Sequence, residues 1–277
     1  MATHEHGLHY RHHSGQTYPI SMTQRLYTTF IAPFAIIGIL IVALAYFSAN
    51  SLSAVSLGNS ASFNYLFEAT IATFFRMCTA YVFAVLLAFP LAILVSRVKF
   101  LERLLIPVFD VAQSIPVLVF FPVVIVAFAT RGLWNEAAIF IIFLSMLWNI
   151  IFSLISGFKA IPRDIEWAAE VFRIKGFAYF KKVLLPASIP SFVLGSLLAW
   201  AQGWNIIIVA EVLHVYLPHA DTSHDLFGIG RVLVDATSTS NFSLFLGAMS
   251  MMVCAIALLD FLVWQKLLRY AERFKFD

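Results

Sequence analysis

Charge is scarce in this sequence. Asp, Glu, Lys and Arg make up 12% of its 277 residues, against about 25% in soluble domains. With 61% of the residues hydrophobic, a compact water-soluble core has no means of hiding the apolar surface, and the chain is expected to fold in lipid. Cysteine is scarcer still. Cys78 and Cys254 both lie inside apolar runs, which argues against a disulfide framework and leaves the redox compartment unread. No G-x-x-x-x-G-K-[ST] occurs, and none of the 12 glycines precedes a lysine, so the sequence carries no P-loop for nucleotide phosphates. It supports neither a Ser–His–Asp constellation nor an H-E-x-x-H zinc helix. No cleavable signal peptide is expected, because the first apolar run begins near Leu26 and is too long for a signal core.

What the chain has is long apolar runs. Six stretches, about 26–48, 68–96, 104–129, 137–158, 188–212 and 243–265, reach the roughly 20 residues needed to cross a bilayer. The expected fold is an all-α integral membrane protein with six transmembrane helices. The third run contains Pro107, Pro116 and Pro122 and is expected to kink or break, since proline removes a backbone donor.

Basic residues set the orientation. Arg11 and Arg25 precede the first run, Arg97, Lys99 and Arg103 follow the second, and Lys159, Arg163, Arg173, Lys175, Lys181 and Lys182 follow the fourth. Lys266, Arg269, Arg273 and Lys275 follow the sixth. The opposite side has Arg131 and Arg231 alone. Both termini are therefore expected in the cytoplasm. The division is residues 1–25 as a cytoplasmic His-rich tail, 26–63 as the first transmembrane helix and outer loop, 64–265 as the core, and 266–277 as a cytoplasmic basic tail. On the outer side, "DLFGIGRVLVDA" (Asp225–Ala236) reads as a short amphipathic helix lying on the surface or partly re-entering.

One charged stretch, "EWAAEVFRIKGFAYFKKVLLPASIP" (Glu166–Pro190), sits between two apolar runs on the cytoplasmic side. Ile165, Ala168, Ala169, Phe172 and Gly176 recur at helical steps, which predicts a short amphipathic helix over 164–175 with a small apolar face suited to a soluble partner. The stretch resembles the cytoplasmic EAA loop of importer-type ABC transporter permeases: E-A-A, three residues, G, nine residues, I-x-L-P. Ala168 and Ala169 fall on the two alanines, and Val183, Leu185 and Pro186 on the last element. Trp167 stands in place of the glutamate and Arg173 in place of the glycine, with Glu166, Glu170 and Gly176 nearby but out of frame. "DVAQSIPVLVFFPVVIVAF" (Asp110–Phe128), "GWNIIIVAEVL" (Gly203–Leu213) and "WQKLLRYAERF" (Trp264–Phe274) are similar to segments of the nitrate/sulfonate/taurine branch of these permeases.

The resemblance implies a MetI-like permease core over 64–265, including an EAA-type loop at 159–187 that forms a cytoplasmic coupling helix between helices 4 and 5. It implies a non-catalytic subunit of the cytoplasmic (inner) membrane that works with a second permease chain, identical or homologous. Cytoplasmic ABC ATPase subunits would bind the ATP and magnesium, so no cofactor is expected in this chain. A periplasmic or lipid-anchored binding protein would deliver a small solute, such as nitrate, a sulfonate or bicarbonate. The ATPase-coupling residues by this reading are Glu166, Trp167, Ala168, Ala169, Glu170, Arg173, Gly176 and Pro186.

Polar groups inside the runs are the other candidates. Gln113 and Ser114 precede Pro116, where a broken helix would bare its backbone to a cavity, and Asn149 and Asn205 each follow a tryptophan in "WNII". These four and Glu211 are the candidate pathway residues. Helix-to-helix hydrogen bonding is the plainer reading for the asparagines, and a structural or gating role is favoured for Glu211. Arg76 and Asp110 read as ion-pair or backbone anchors. His4, His6, His9, His12 and His13 cluster near the start, and His214, His219 and His224 lie beside Asp221 and Asp225. A metal site needs fixed geometry as well as ligands, and none is assigned. A secondary transporter or channel would leave the charged helix unexplained. A membrane enzyme would depend on His219 or His224.

Overall fold

The molecule, a computed structural model, is described over residues 63–129, 131–213 and 225–274. Its secondary structure there is helical throughout, with no strand among the described residues. The expected first span, both histidine clusters and the 214–224 segment lie outside them.

Helix α1 (Phe63–Arg97) shows why a long apolar run folds as it does. Its buried positions include Ala80, Ala84, Ala88 and Ala92, every fourth residue, extended by Met77 and Val95. Such a stripe of methyl groups lets two backbones approach closely, the usual means of helix association where lipid removes any hydrophobic drive. The partner is α4 (Trp134–Lys159), which packs against α1 on one side and α6 (Leu185–Glu211) on the other. Ile141, Ile142, Met146, Ile150, Ile151 and Leu154 of α4 are fully buried in the resulting core. Trp200 of α6 joins three elements, with its ring 5.5 Å from Phe74, 5.9 Å from Tyr81 and 6.3 Å from Trp264.

Between α1 and α4 the chain makes a sharp corner. Helix α2 (Lys99–Ser114) is followed by a tight turn at Val117–Phe120 and by α3 (Phe121–Ala129), and the two arms meet at 88°. The corner is at Ile115, extended at φ −74°, ψ 121°, a conformation favoured because the ring of the following Pro116 crowds the helical one at the residue before it. The break expected from the prolines is therefore present, and it falls at Pro116. Pro107 is accommodated inside α2.

A short helix α5 (Arg163–Val171) links α4 to α6. The chain then winds continuously from Gly176 to Glu211, passing through a wide turn at Phe180–Leu184 in which the Leu185 amide reaches back to the Phe180 carbonyl. Pro186, which has no N–H to donate, follows at once. Beyond the 214–224 segment, α7 (Ile229–Ser238) buries Ile229, Val232, Leu233 and Ala236 against Leu66 and Ala69 of α1 and Leu244 and Ala248 of α8 (Phe242–Leu259). The Asn241 side chain caps α8 by accepting from the Leu244 amide at 3.1 Å. Winding continues through α9 (Gln265–Ala271) to Phe274, so Lys266, Arg269 and Arg273 ride on the last turns of a helix.

Among the described residues, four helical stretches are long and apolar enough to cross a membrane: Phe63–Arg97, Trp134–Lys159, Gly176–Glu211 and Phe242–Phe274. The bent α2–α3 pair makes a fifth if it counts as one span.

Candidate functional site

Helix α5 begins after Pro162 and carries Asp164 and Glu166 in its first turn, where the positive end of the helix dipole favours them. Its far end is closed in a specific way. The Ile174 amide donates to the Ala169 carbonyl at 2.8 Å and the Arg173 amide to that of Glu170 at 2.9 Å. This doubly bonded end requires a left-handed residue just past the helix, and Arg173 supplies it at φ 54°. The position where the EAA pattern has glycine is thus a position whose backbone asks for glycine.

The expected apolar face of this helix divides in two. Ala169 is buried and Ile165 half-buried, while Ala168 and Phe172 point outward. The outward surface is larger than the small residues suggest: Trp167 is 60% exposed, Val171 79% and Phe172 75%, with Phe177 beyond them at 78%. Glu166 is half-buried, Glu170, Arg173 and Gly176 are exposed, and Pro186 is half-buried at the start of α6. A cavity of about 500 Å³ opens behind α5, lined by Arg97, Glu166, Ala169, Glu170, Lys175 and Tyr179 among others. The Arg97 guanidinium lies 4.6 Å from the centre of the Tyr179 ring, and Lys159 Nζ meets Glu102 Oε1 at 2.7 Å. These contacts tie the end of α1 to the helical turn at Gly176–Tyr179 and the end of α4 to the first turn of α2.

The candidate pathway residues do not form one cluster. Gln113 and Ser114 are exposed at the end of α2 and bond back within it, Gln113 Nε2 donating to Asp110 Oδ1 at 2.9 Å and Ser114 Oγ to the Asp110 carbonyl at 2.8 Å. Asn149 is half-buried on α4. Asn205 is exposed on α6, on a stripe with Leu194, Leu198, Ala201, Gln202 and Ile208. Gln202 escaped the sequence reading, although its three-residue spacing from Asn205 was a signal for a shared face.

Glu211 occupies a different setting from the other four. Its side chain is fully buried, at the end of α6 where α1, α4 and α7 converge. Arg76 Nη1 donates to Glu211 Oε1 at 2.6 Å, as does Thr73 Oγ1 at 2.6 Å, and the Gly230 amide donates to Oε2 at 2.8 Å. Thr73 Oγ1 in turn accepts from the Ile229 amide at 3.0 Å. The other nitrogens of Arg76 reach Asn135 Oδ1 at 2.8 Å and the Phe227 carbonyl at 2.7 Å. Two glycines make room: a Cβ on Gly228 would collide with the Glu211 carboxylate, and one on Gly230 would crowd Glu211 Oε2 and the backbone of Ile207 and Ile208. Every polar atom of a charged pair inside an apolar bundle thereby finds a partner, as the low dielectric demands.

Residues 80–265, from the alanine stripe of α1 through the loop helix and the buried carboxylate, match the family described as binding-protein-dependent transport system inner membrane component. The chain belongs to this family. It is 33% identical over 148 residues to the nitrate import permease protein NrtB of Leptolyngbya laminosa, covering 53% of this chain and 52% of that protein. The same figures hold for the bicarbonate transport system permease protein CmpB of Synechococcus elongatus. A longer match, 27% identical over 213 residues and covering 74% of this chain and 75% of the relative, is to a putative ABC transporter permease protein of Methanocaldococcus jannaschii. The chain thus spans about half the length of the first two relatives. The resemblance to ABC importer permeases read from the sequence is confirmed, and of the nitrate/sulfonate/taurine branch expected there the relatives bear out nitrate, with bicarbonate beside it.

Proposed function

We propose that this family member is the transmembrane permease subunit of an ATP-driven, binding-protein-dependent importer. The single observation that carries this reading is α5, a nine-residue helix that holds Trp167, Val171 and Phe172 out to solvent while Ala169 anchors it. An apolar surface on a charged, protruding helix suits a groove in a soluble protein. That protein is the cytoplasmic ATPase subunit, which holds ATP and magnesium. The end of the bundle carrying α5 faces the cytoplasm, because Arg97, Lys99, Arg103, Lys159, Arg163, Arg173, Lys175, Lys181 and Lys182 collect there.

The pathway forms against a second permease chain along the exposed stripe of α6 that presents Gln202 and Asn205. The substrate class is a small oxyanion such as nitrate or bicarbonate, by likeness to relatives so named, handed over by a binding protein on the other side. The test is reconstitution of the full chain with its co-purifying ATPase and binding protein in liposomes. ATP-dependent uptake of nitrate or bicarbonate supports the reading; uptake by the chain alone would replace it with a secondary transporter.

A further inference from the structure

We propose that the cradle around Glu211 is an oxyanion site whose resident anion is the chain's own side chain, and that this tethered anion clasps α7 onto α1, α4 and α6. A plain ion pair needs only Arg76. Here the donors are a guanidinium, a hydroxyl and a main-chain amide in the first turn of α7, the set that proteins present to free planar oxyanions. Arg76 Nη1 and Thr73 Oγ1 converge on one carboxylate oxygen and the Gly230 amide on the other. The volume is reserved for an anion, since a side chain at Gly228 or Gly230 would enter the space the carboxylate fills. The ring of contacts then closes through Arg76 to the Phe227 carbonyl and to Asn135 of α4, and through the Glu211 carbonyl, which accepts from the Leu226 amide at 3.0 Å. Three of the elements therefore meet at one carboxylate, and α4 joins them through the Arg76 guanidinium. This inference does not rest on the transport reading.

Removing the side chain while leaving its donors gives the site a vacancy. In Glu211→Ala, Arg76 keeps its charge and Thr73 and Gly230 keep their hydrogens, beside a space the size of a methylene and a carboxylate. The ligand class is small, planar and singly charged: formate, acetate or nitrate. Chloride lacks the fork that pairs Arg76 and Thr73 with Gly230, and sulfate is tetrahedral and doubly charged where the carboxylate is planar and singly charged.

The experiment is hydrogen exchange of the 226–238 amides in the purified full chain, with formate, acetate, nitrate, chloride or sulfate at equal ionic strength in the tens of millimolar. The expected result is exchange about tenfold faster or more in Glu211→Ala than in the natural chain. Formate, acetate or nitrate restores most of the protection, chloride and sulfate do not, and the natural chain responds to none. Unchanged exchange in Glu211→Ala, rescue by chloride as good as by formate, or no rescue at all would overturn the proposal. Should Glu211→Ala fail to accumulate, Glu211→Gln fills the same space without the charge. Faster exchange that no anion corrects supports the clasp, and exchange equal to that of the natural chain refutes it.

Discussion

The Ile174 amide and the Ala169 carbonyl meet at 2.8 Å across the end of α5, and Arg173 between them is held left-handed at φ 54° to permit it. A residue with a Cβ is strained there by roughly 1–2 kcal/mol. Arg173→Gly is therefore expected to stabilise the loop by about 0.5–1 kcal/mol, after the entropy glycine adds to the unfolded chain. Thermal unfolding of the detergent-solubilised protein measures it; a fall in stability would show that the Arg173 side chain makes up for its own backbone.

Neighbouring alanines in the same helix should behave differently. Ala168 is exposed and Ala169 buried. Ala168→Asp puts charge on the outward surface, so the chain should fold as before while ATPase binding falls by an order of magnitude or more, about 1.4 kcal/mol per tenfold. Ala169→Asp buries an unpaired carboxylate and should destabilise the loop itself. Parallel unfolding and co-purification of the two variants separate the effects, and equal outcomes in both would contradict the orientation of α5.

At the other end of the bundle, Arg76→Ala leaves Glu211 buried without its cation, an event that typically costs about 3–5 kcal/mol. The double change Arg76→Ala with Glu211→Ala should be less damaging than the sum of the singles, since neither charge is then stranded. A double-mutant cycle by thermal unfolding reads the coupling directly. Strict additivity would mean that the contact contributes nothing of its own.

The alanine stripe gives a fourth expectation. Ala88 is fully buried where α1 meets α4, and Ala88→Leu forces three extra carbons into a close backbone contact, at a cost of roughly 1–3 kcal/mol. Ala→Leu at Ala201, on the exposed stripe of α6, should leave the stability of the isolated chain nearly unchanged. Comparison of the two unfolding midpoints checks the assignment of faces.

Much of this architecture was legible before any coordinate. The second run, expected over 68–96, became α1 at Phe63–Arg97, because an apolar run of that length has few alternatives in lipid. A break in the third run was expected from Pro107, Pro116 and Pro122 together and falls at Pro116 alone, and the loop helix expected over 164–175 ends earlier, at Val171. What remained hidden was pairing at a distance. Glu211 read as a polar residue at the end of a span, yet its partners Thr73 and Arg76 lie more than a hundred positions earlier, and periodicity carries no information across such a gap. The "GIG" of Gly228–Gly230 read only as part of an amphipathic segment, since its reason is a carboxylate supplied by another helix. Exposure was equally out of reach: Gln202 and Asn205 share a face with alanine and leucine, and only packing shows which face the chain leaves open.

The seam of methyl groups along α1 also bears on movement. Ala80, Ala84, Ala88 and Ala92 present no knobs to α4, whereas Trp200 locks α6 among Phe74, Tyr81 and Trp264. A smooth seam lets one helix shear along another without exchanging rotamers, while an aromatic knot must come undone to slip. The bundle thus joins α1 to α4 by close backbone approach and to α6 by interlocked rings, two seams of opposite character side by side.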